Sequence, residues 1–126
     1  MTSLQRILYV DDEPDIQEVA KMTLEAIGGF TVETCNSGQE AIEKAAGFAP
    51  DLILLDVMMP GMDGPSTLQE LRKLPKITET PVIFMTAKVQ AQEIEEYKKM
   101  GAADVITKPF DPMTLSEQVK KIWDKS

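Results

Sequence analysis

Histidine is absent from all 126 residues. Its absence removes the Ser/His and Cys/His catalytic arrangements and every histidine-based metal site. Cysteine occurs once, at Cys35, which excludes an intramolecular disulfide framework and fits a reducing compartment. Positive charge is scarce: Lys and Arg number 13 against 21 Asp and Glu, for a net charge of −8. A chain this acidic lacks the field that non-specific DNA or RNA binding needs. Long apolar runs are also missing. The run from Ile7 stops at Asp11, far short of the roughly 20 residues of a membrane span. There is no Ser/Gly-rich linker, low-complexity tract or break in composition. These absences describe a soluble, cytoplasmic protein with no membrane or direct nucleic-acid partner.

What is present suits one domain, taken as residues 1–126. Apolar residues make up 43% and charged residues 27%, a globular composition long enough to bury a core. Ile7–Val10, Leu52–Leu55 and Val82–Met85 are continuous apolar runs, as in strands buried on both faces. Phe30–Cys35 alternates and reads as an edge strand, and Asp104–Thr107 as a short fifth one. Helical patterns fall between them. Pro14 opens the first, with Ile16, Val19, Ala20, Thr23, Leu24 and Ile27 at helical spacing and Gly28-Gly29 as its end. Ser37 and Glu40 form a capping box for the second, with Gly47 as its stop. Leu68, Leu71 and Leu74 mark a third closed by Pro75, and Ile94 and Tyr97 a fourth ended by Gly101. Asp111-Pro112 opens a fifth with the stripe Leu115, Val119, Ile122 and Trp123. Five strand–helix repeats of this kind predict an α/β fold, a doubly wound five-stranded parallel sheet with helices on both faces.

The strands end in polar residues of particular kinds: Asp11-Asp12 after the first, Asp56 after the third, Thr86 after the fourth and Lys108 after the fifth. In an open parallel sheet these carboxyl ends share one edge, where ligands bind. Free Asp titrates at roughly pH 3.9, so three carboxylates gathered there are charged and repel one another. Lys108 offsets one charge. A hard divalent ion, Mg²⁺ before Zn²⁺ given oxygen donors and no histidine, offsets more. Such a group of residues suits phosphoryl transfer to a carboxylate. Asp56 stands alone at its strand end and is the best nucleophile; adjacent Asp11 and Asp12 are better suited to hold a metal.

Tyr9-Val10-Asp11-Asp12-Glu13, Asp56-Val57-Met58-Met59-Pro60-Gly61-Met62-Asp63-Gly64, Met85-Thr86-Ala87 and Thr107-Lys108-Pro109-Phe110 together resemble the response-regulator receiver domain of two-component signalling. The resemblance covers essentially the whole chain and implies a CheY-like, flavodoxin-like (βα)5 fold with strand order 2-1-3-4-5. It implies that Asp56 takes a phosphoryl group from a phosphohistidine on a sensor kinase or phosphotransfer protein, with loss of the group by autodephosphorylation and no other catalysis. Mg²⁺ would be held by Asp12 directly, by Asp11 mostly through water, by Asp56 and by the backbone carbonyl of Met58. Thr86 and Lys108 would stabilise the phosphoryl group, and Lys108-Pro109 would be a cis peptide. The side chains of Met58 and Lys88, two positions beyond Asp56 and Thr86, would set the phosphoryl lifetime. A downstream protein would dock on the fourth helix, fifth strand and fifth helix.

One position departs from the family. Many relatives carry an aromatic switch residue in the fifth strand, where this chain has Val105, too short and stiff to sweep between two poses. The signal is therefore expected to leave through the loop after Thr86 and the fourth helix. Two other functions compete. An Mg²⁺-dependent phosphatase with an Asp nucleophile would want a second Asp two residues on, and Asp56-Val57-Met58 lacks it. A flavin-binding domain would want a small-residue phosphate loop where this chain has Asp12-Glu13-Pro14.

Overall fold

A computed structural model of the chain describes residues 3–87 and 90–125. Five strands, β1 (Arg6–Val10), β2 (Thr31–Cys35), β3 (Leu52–Asp56), β4 (Val82–Thr86) and β5 (Asp104–Thr107), alternate with five helices. The helices are α1 (Pro14–Ala26), α2 (Gly38–Phe48), α3 (Gly64–Arg72), α4 (Ala91–Lys99) and α5 (Leu115–Lys125). All neighbouring strands pair in parallel, in the order β2-β1-β3-β4-β5. The expected fold and strand order both hold.

Because successive side chains in a strand point to opposite faces, the apolar runs split into two cores. Leu8, Val10, Ile53, Leu55, Val82 and Phe84 pack under α2 and α3 with Ala41, Ala45, Leu68 and Leu71. Ile7, Tyr9, Leu52, Leu54, Ile83 and Met85 face α1 and α5, meeting Ala20, Leu24, Leu115 and Val119. The sheet is thus covered on both sides, which is why its central strands read as unbroken apolar runs. Edge strand β2 buries Val32 on one face and Cys35 on the other. Burial, with Glu40 nearby, pushes the Cys35 thiol up to about 12, so it behaves as a small apolar residue.

Three boundaries and one helix face differ from the sequence reading. Gly47 does not stop α2; the helix continues to Phe48 and Ala49 takes the left-handed turn at φ 54°. Phe48 packs on the core, and the Arg6 guanidinium lies 4.2 Å above its ring, so the one added residue brings an aromatic side chain onto the core that a stop at Gly47 would leave behind. Asp111-Pro112 lies in a turn ahead of α5: Asp111 accepts from the amides of Met113, Thr114 and Leu115, and the helix begins at Leu115. On α1, the buried face is Gln17, Ala20, Thr23 and Leu24, while Val19 and Ile27 are exposed; a buried polar residue had displaced the apolar stripe by part of a turn. Helix α3 ends at Arg72, before Leu74 and Pro75, and the turns that follow bury Ile77 completely. Arg72 holds that turn, donating to the carbonyls of Ile77 and Thr80 at 2.9 and 2.7 Å.

No described helix is long and apolar enough to cross a membrane.

Candidate functional site

The strand ends meet as the topology demands. Asp56 and Thr86 are the last residues of β3 and β4, each 4% exposed, while Asp11 and Lys108 directly follow β1 and β5. Lys108 Nζ reaches into the cluster and lies 3.1 Å from Asp11 Oδ2, 3.3 Å from Asp56 Oδ2 and 3.3 Å from Glu13 Oε1. The Lys108–Pro109 bond is cis.

Asp11 is fully buried and fully engaged. Its Oδ2 also accepts from the Tyr9 hydroxyl at 3.1 Å, and its Oδ1 accepts from the Glu13 amide at 3.0 Å. Gln17, the buried polar residue of α1, donates its side-chain amide to the carbonyls of Asp11 and Cys35 and to Asn36 Oδ1. It therefore ties the loop after β1 to the end of β2. The Met58 amide donates to Asp56 Oδ1 at 3.4 Å, and the Met58 side chain is 77% exposed. The loop after β3 returns tightly against the strand. A Cβ on Gly64 would lie 2.7 Å from the Asp56 carbonyl oxygen, so only glycine lets α3 start this close behind Asp56. Asp63 caps that helix, accepting from the Ser66 amide at 2.9 Å.

One carboxylate oxygen from each of Asp11, Asp12, Glu13 and Asp56 lies within 4.8 Å of the others. Four carboxylates against the Lys108 ammonium leave a formal charge of −3, and each like-charged pair at such distances repels by about 3–4 kcal/mol at an effective dielectric near 20. Burial pushes the Asp56 carboxyl up to about 6; Lys108 works against this and the Asp11 charge adds to it. Burial by itself would lower the Lys108 ammonium, but the hydrogen bond and charge of Asp11, together with Asp56, hold it above its ordinary value. The donor set is all oxygen, acidic and anchored at its base by backbone and side-chain donors, which is the chemistry of a hard divalent cation site. The residues present could hold such a metal.

Asp11, Asp12, Asp56 and Lys108 therefore come together as expected. Thr86 ends the adjacent strand. Val105 is half-buried beside Phe84, its register partner, away from the carboxylates. The expected influence of Lys88 falls outside the described residues. The sequence motif contains Glu13 and Tyr9 but assigns neither a role, and Gln17 lies outside it. Glu13 is legible as the third acid of Asp11-Asp12-Glu13, whereas Tyr9 reads as one more core residue and Gln17 as one more surface position on α1.

A family profile described as the response regulator receiver domain matches residues 7–120. The regulatory protein AtoC of Escherichia coli is 40% identical over 111 residues, covering 88% of this chain and 23% of that protein. PhoP of Bacillus subtilis, the alkaline phosphatase synthesis transcriptional regulatory protein, is 38% identical over 122 residues, covering 97% of this chain and 50% of its own length. The chain thus spans half or less of these curated relatives. Among solved structures, the chemotaxis response regulator CheY4 of Vibrio cholerae superposes with a TM-score of 0.87 at 32% identity, over 95% of this chain and 99% of that one. None of these findings favours the phosphatase alternative.

Proposed function

The chain belongs to the response regulator receiver domain family, a signalling domain of two-component systems, and on that premise we propose that Asp56 is its phosphoacceptor. An Asp56 carboxylate oxygen attacks the phosphorus of a phosphohistidine on a kinase or phosphotransfer partner. The new P–O bond forms as the P–N bond breaks, and the imidazole leaves with the electron pair. Lys108 balances charge on Asp56 before transfer and on the phosphoryl oxygens after it. Thr86 donates its hydroxyl to one of those oxygens. Asp11 and Asp12, with Asp56 and the Met58 carbonyl, would hold Mg²⁺, which when bound supplies positive charge to the phosphoryl oxygens. Water later attacks the acyl phosphate and returns Asp56 and inorganic phosphate, and the domain catalyses nothing further. Residues 1–126 then act as one receiver domain, in the cytoplasm, by changing contacts with a downstream protein on the α4–β5–α5 face and without touching nucleic acid itself.

The observation that carries this reading is the placement of Lys108 Nζ within 3.3 Å of both Asp11 and Asp56, three side chains from three strand ends. Incubation with acetyl phosphate and Mg²⁺ should add the mass of one phosphoryl group to the intact protein. Asp56→Asn should abolish the adduct. Repeated turnover of a phosphate ester, or an adduct that survives in Asp56→Asn, would refute the assignment.

A further inference from the structure

Tyr9 is fully buried, and its hydroxyl has no part in the chemistry proposed above. Side chains alternate along β1, so Ile7, Tyr9 and Asp11 share one side of the sheet. The Tyr9 ring belongs to the core under α1 and α5, with Ile7, Leu54, Ile83 and Met85. Its chain neighbours Leu8 and Val10 fill the opposite core with hydrocarbon alone. A hydroxyl at position 9 costs free energy to bury unless it is hydrogen-bonded. Asp11 Oδ2, at 3.1 Å, accepts that bond.

A carboxylate has two oxygens with about four lone-pair sites between them. On Asp11, Oδ2 accepts from Tyr9 and, at 3.1 Å, from Lys108 Nζ, while Oδ1 accepts from the Glu13 amide at 3.0 Å. Oδ2 is therefore filled, and Oδ1 keeps one site open. The two donors on Oδ2 differ in kind. Lys108 Nζ rides on a flexible stem and is shared with Asp56 and Glu13, each at 3.3 Å. The Tyr9 hydroxyl is carried by a rigid ring enclosed in a close-packed core. It stays on Oδ2 wherever the Lys108 charge is drawn.

We propose that Tyr9 is the positioning residue for Asp11 in metal binding: its hydroxyl holds Oδ2 back and leaves Oδ1 as the oxygen offered to the cation or to a water on it. Carboxylates that ligate metals are held by hydrogen-bonding partners behind them, and losing such a partner costs about 10–100-fold in affinity. The constraint also bears on which cation is taken. Mg²⁺ demands near-octahedral ligands, whereas Ca²⁺ accepts flexible geometry and both oxygens of one carboxylate. An Asp11 with one oxygen already occupied disfavours two-oxygen binding and so favours the smaller ion. Tyr9 acts through Asp11 and touches neither metal nor phosphoryl group.

This inference rests on the acidic edge being a metal site, and the test separates the two. The full chain and its Tyr9→Phe variant, which keeps the ring in the core and removes only the hydroxyl, are titrated with Mg²⁺ and separately with Ca²⁺, followed by amide NMR. Tyr9→Phe should bind Mg²⁺ about tenfold more weakly. It should bind Ca²⁺ within about threefold of the wild type, so the preference for Mg²⁺ falls. A general loosening of the fold would weaken both ions alike. A second measurement needs no variant at position 9. The chain has two tyrosines, so wild-type protein labelled with ¹³C at the ring carbon bearing the hydroxyl gives two resonances, assigned by Tyr97→Phe. The Tyr9 resonance should move with Mg²⁺ in step with the site amides. Unchanged or tighter Mg²⁺ binding in Tyr9→Phe, an equal loss for both ions, or a Tyr9 resonance that stays still at saturation overturns the role of Tyr9 alone. A wild type in which neither ion shifts the amides of Asp11, Asp12 and Asp56 overturns the metal reading, and this inference with it.

Discussion

At the scale of single residues, Asp56 holds opposing demands. As the proposed phosphoacceptor it must be ionised to act as a nucleophile, yet burial and Asp11 push its carboxyl up to about 6 from 3.8, against the pull of Lys108. In the unfolded chain it titrates near its ordinary value of roughly 3.9. A carboxyl raised on folding adds stability that is complete below the unfolded value and is lost as pH climbs through the folded one. Metal-free protein should therefore give up as much as about 3 kcal/mol between pH 4 and 7 at this group. Asp56→Asn cannot ionise, so it should be more stable than the wild type at pH 7.5 and nearly level with it at pH 4.5. Urea unfolding at the two pH values checks this, and an equal gap at both contradicts it. Lys108→Ala should act in the opposite direction. It strips the ammonium from two buried carboxylates, a loss of about 3–5 kcal/mol at neutral pH that should shrink by pH 5 as Asp56 takes up a proton.

Asp11, Asp12, Asp56 and Lys108 could be read from sequence because strand ends in a parallel sheet share an edge whatever the details of packing. Tyr9 and Gln17 could not. Tyr9 sits inside an apolar run and shows its purpose only once its hydroxyl is seen on Asp11. Gln17 arrives from a helix, whose rotation about the axis decides which side chain meets the sheet.

At the scale of elements, local chemistry predicts some ends well. Ser37 accepts from the Glu40 amide at 3.1 Å, half of the expected capping box, and Glu40 reaches back to the Asn36 amide, one residue earlier than the standard partner. Ser37→Ala should cost about 1 kcal/mol, read as a lowered midpoint in thermal unfolding with the fold unchanged. Gly47 reads as a stop for α2, while the packing of Phe48 on the core carries the helix past it. Start signals depend on neighbours in the chain, whereas where a helix stops can depend on what lies across the molecule. Helix α4 makes the same point through its weak attachment. With no buried side chain, against Ala41 and Ala45 on α2 and Thr67, Leu68 and Leu71 on α3, its amides should exchange with solvent faster than those of either neighbour. Equal protection in all three helices would contradict this weak attachment.

At the scale of the molecule, a cation held at the acidic edge would couple folding to its binding. Four carboxylates gathered within 4.8 Å exist as a group only in the folded chain, so a cation bound there should raise the unfolding temperature. The gain is about 2.7 kcal/mol at a hundredfold excess over the dissociation constant. Thermal scans with and without Mg²⁺ should show the gain in the wild type and a much smaller one in Asp12→Ala; equal gains would remove Asp12 from the metal site.

The ion pair between Lys108 and Asp11 joins positions 97 residues apart. A chain made from its amino end thus presents its acids long before the lysine that balances them has been added. If Asp56 is the phosphoacceptor proposed above, competence to take up a phosphoryl group would arrive only when the last strand closes the sheet and brings Lys108 to the acids.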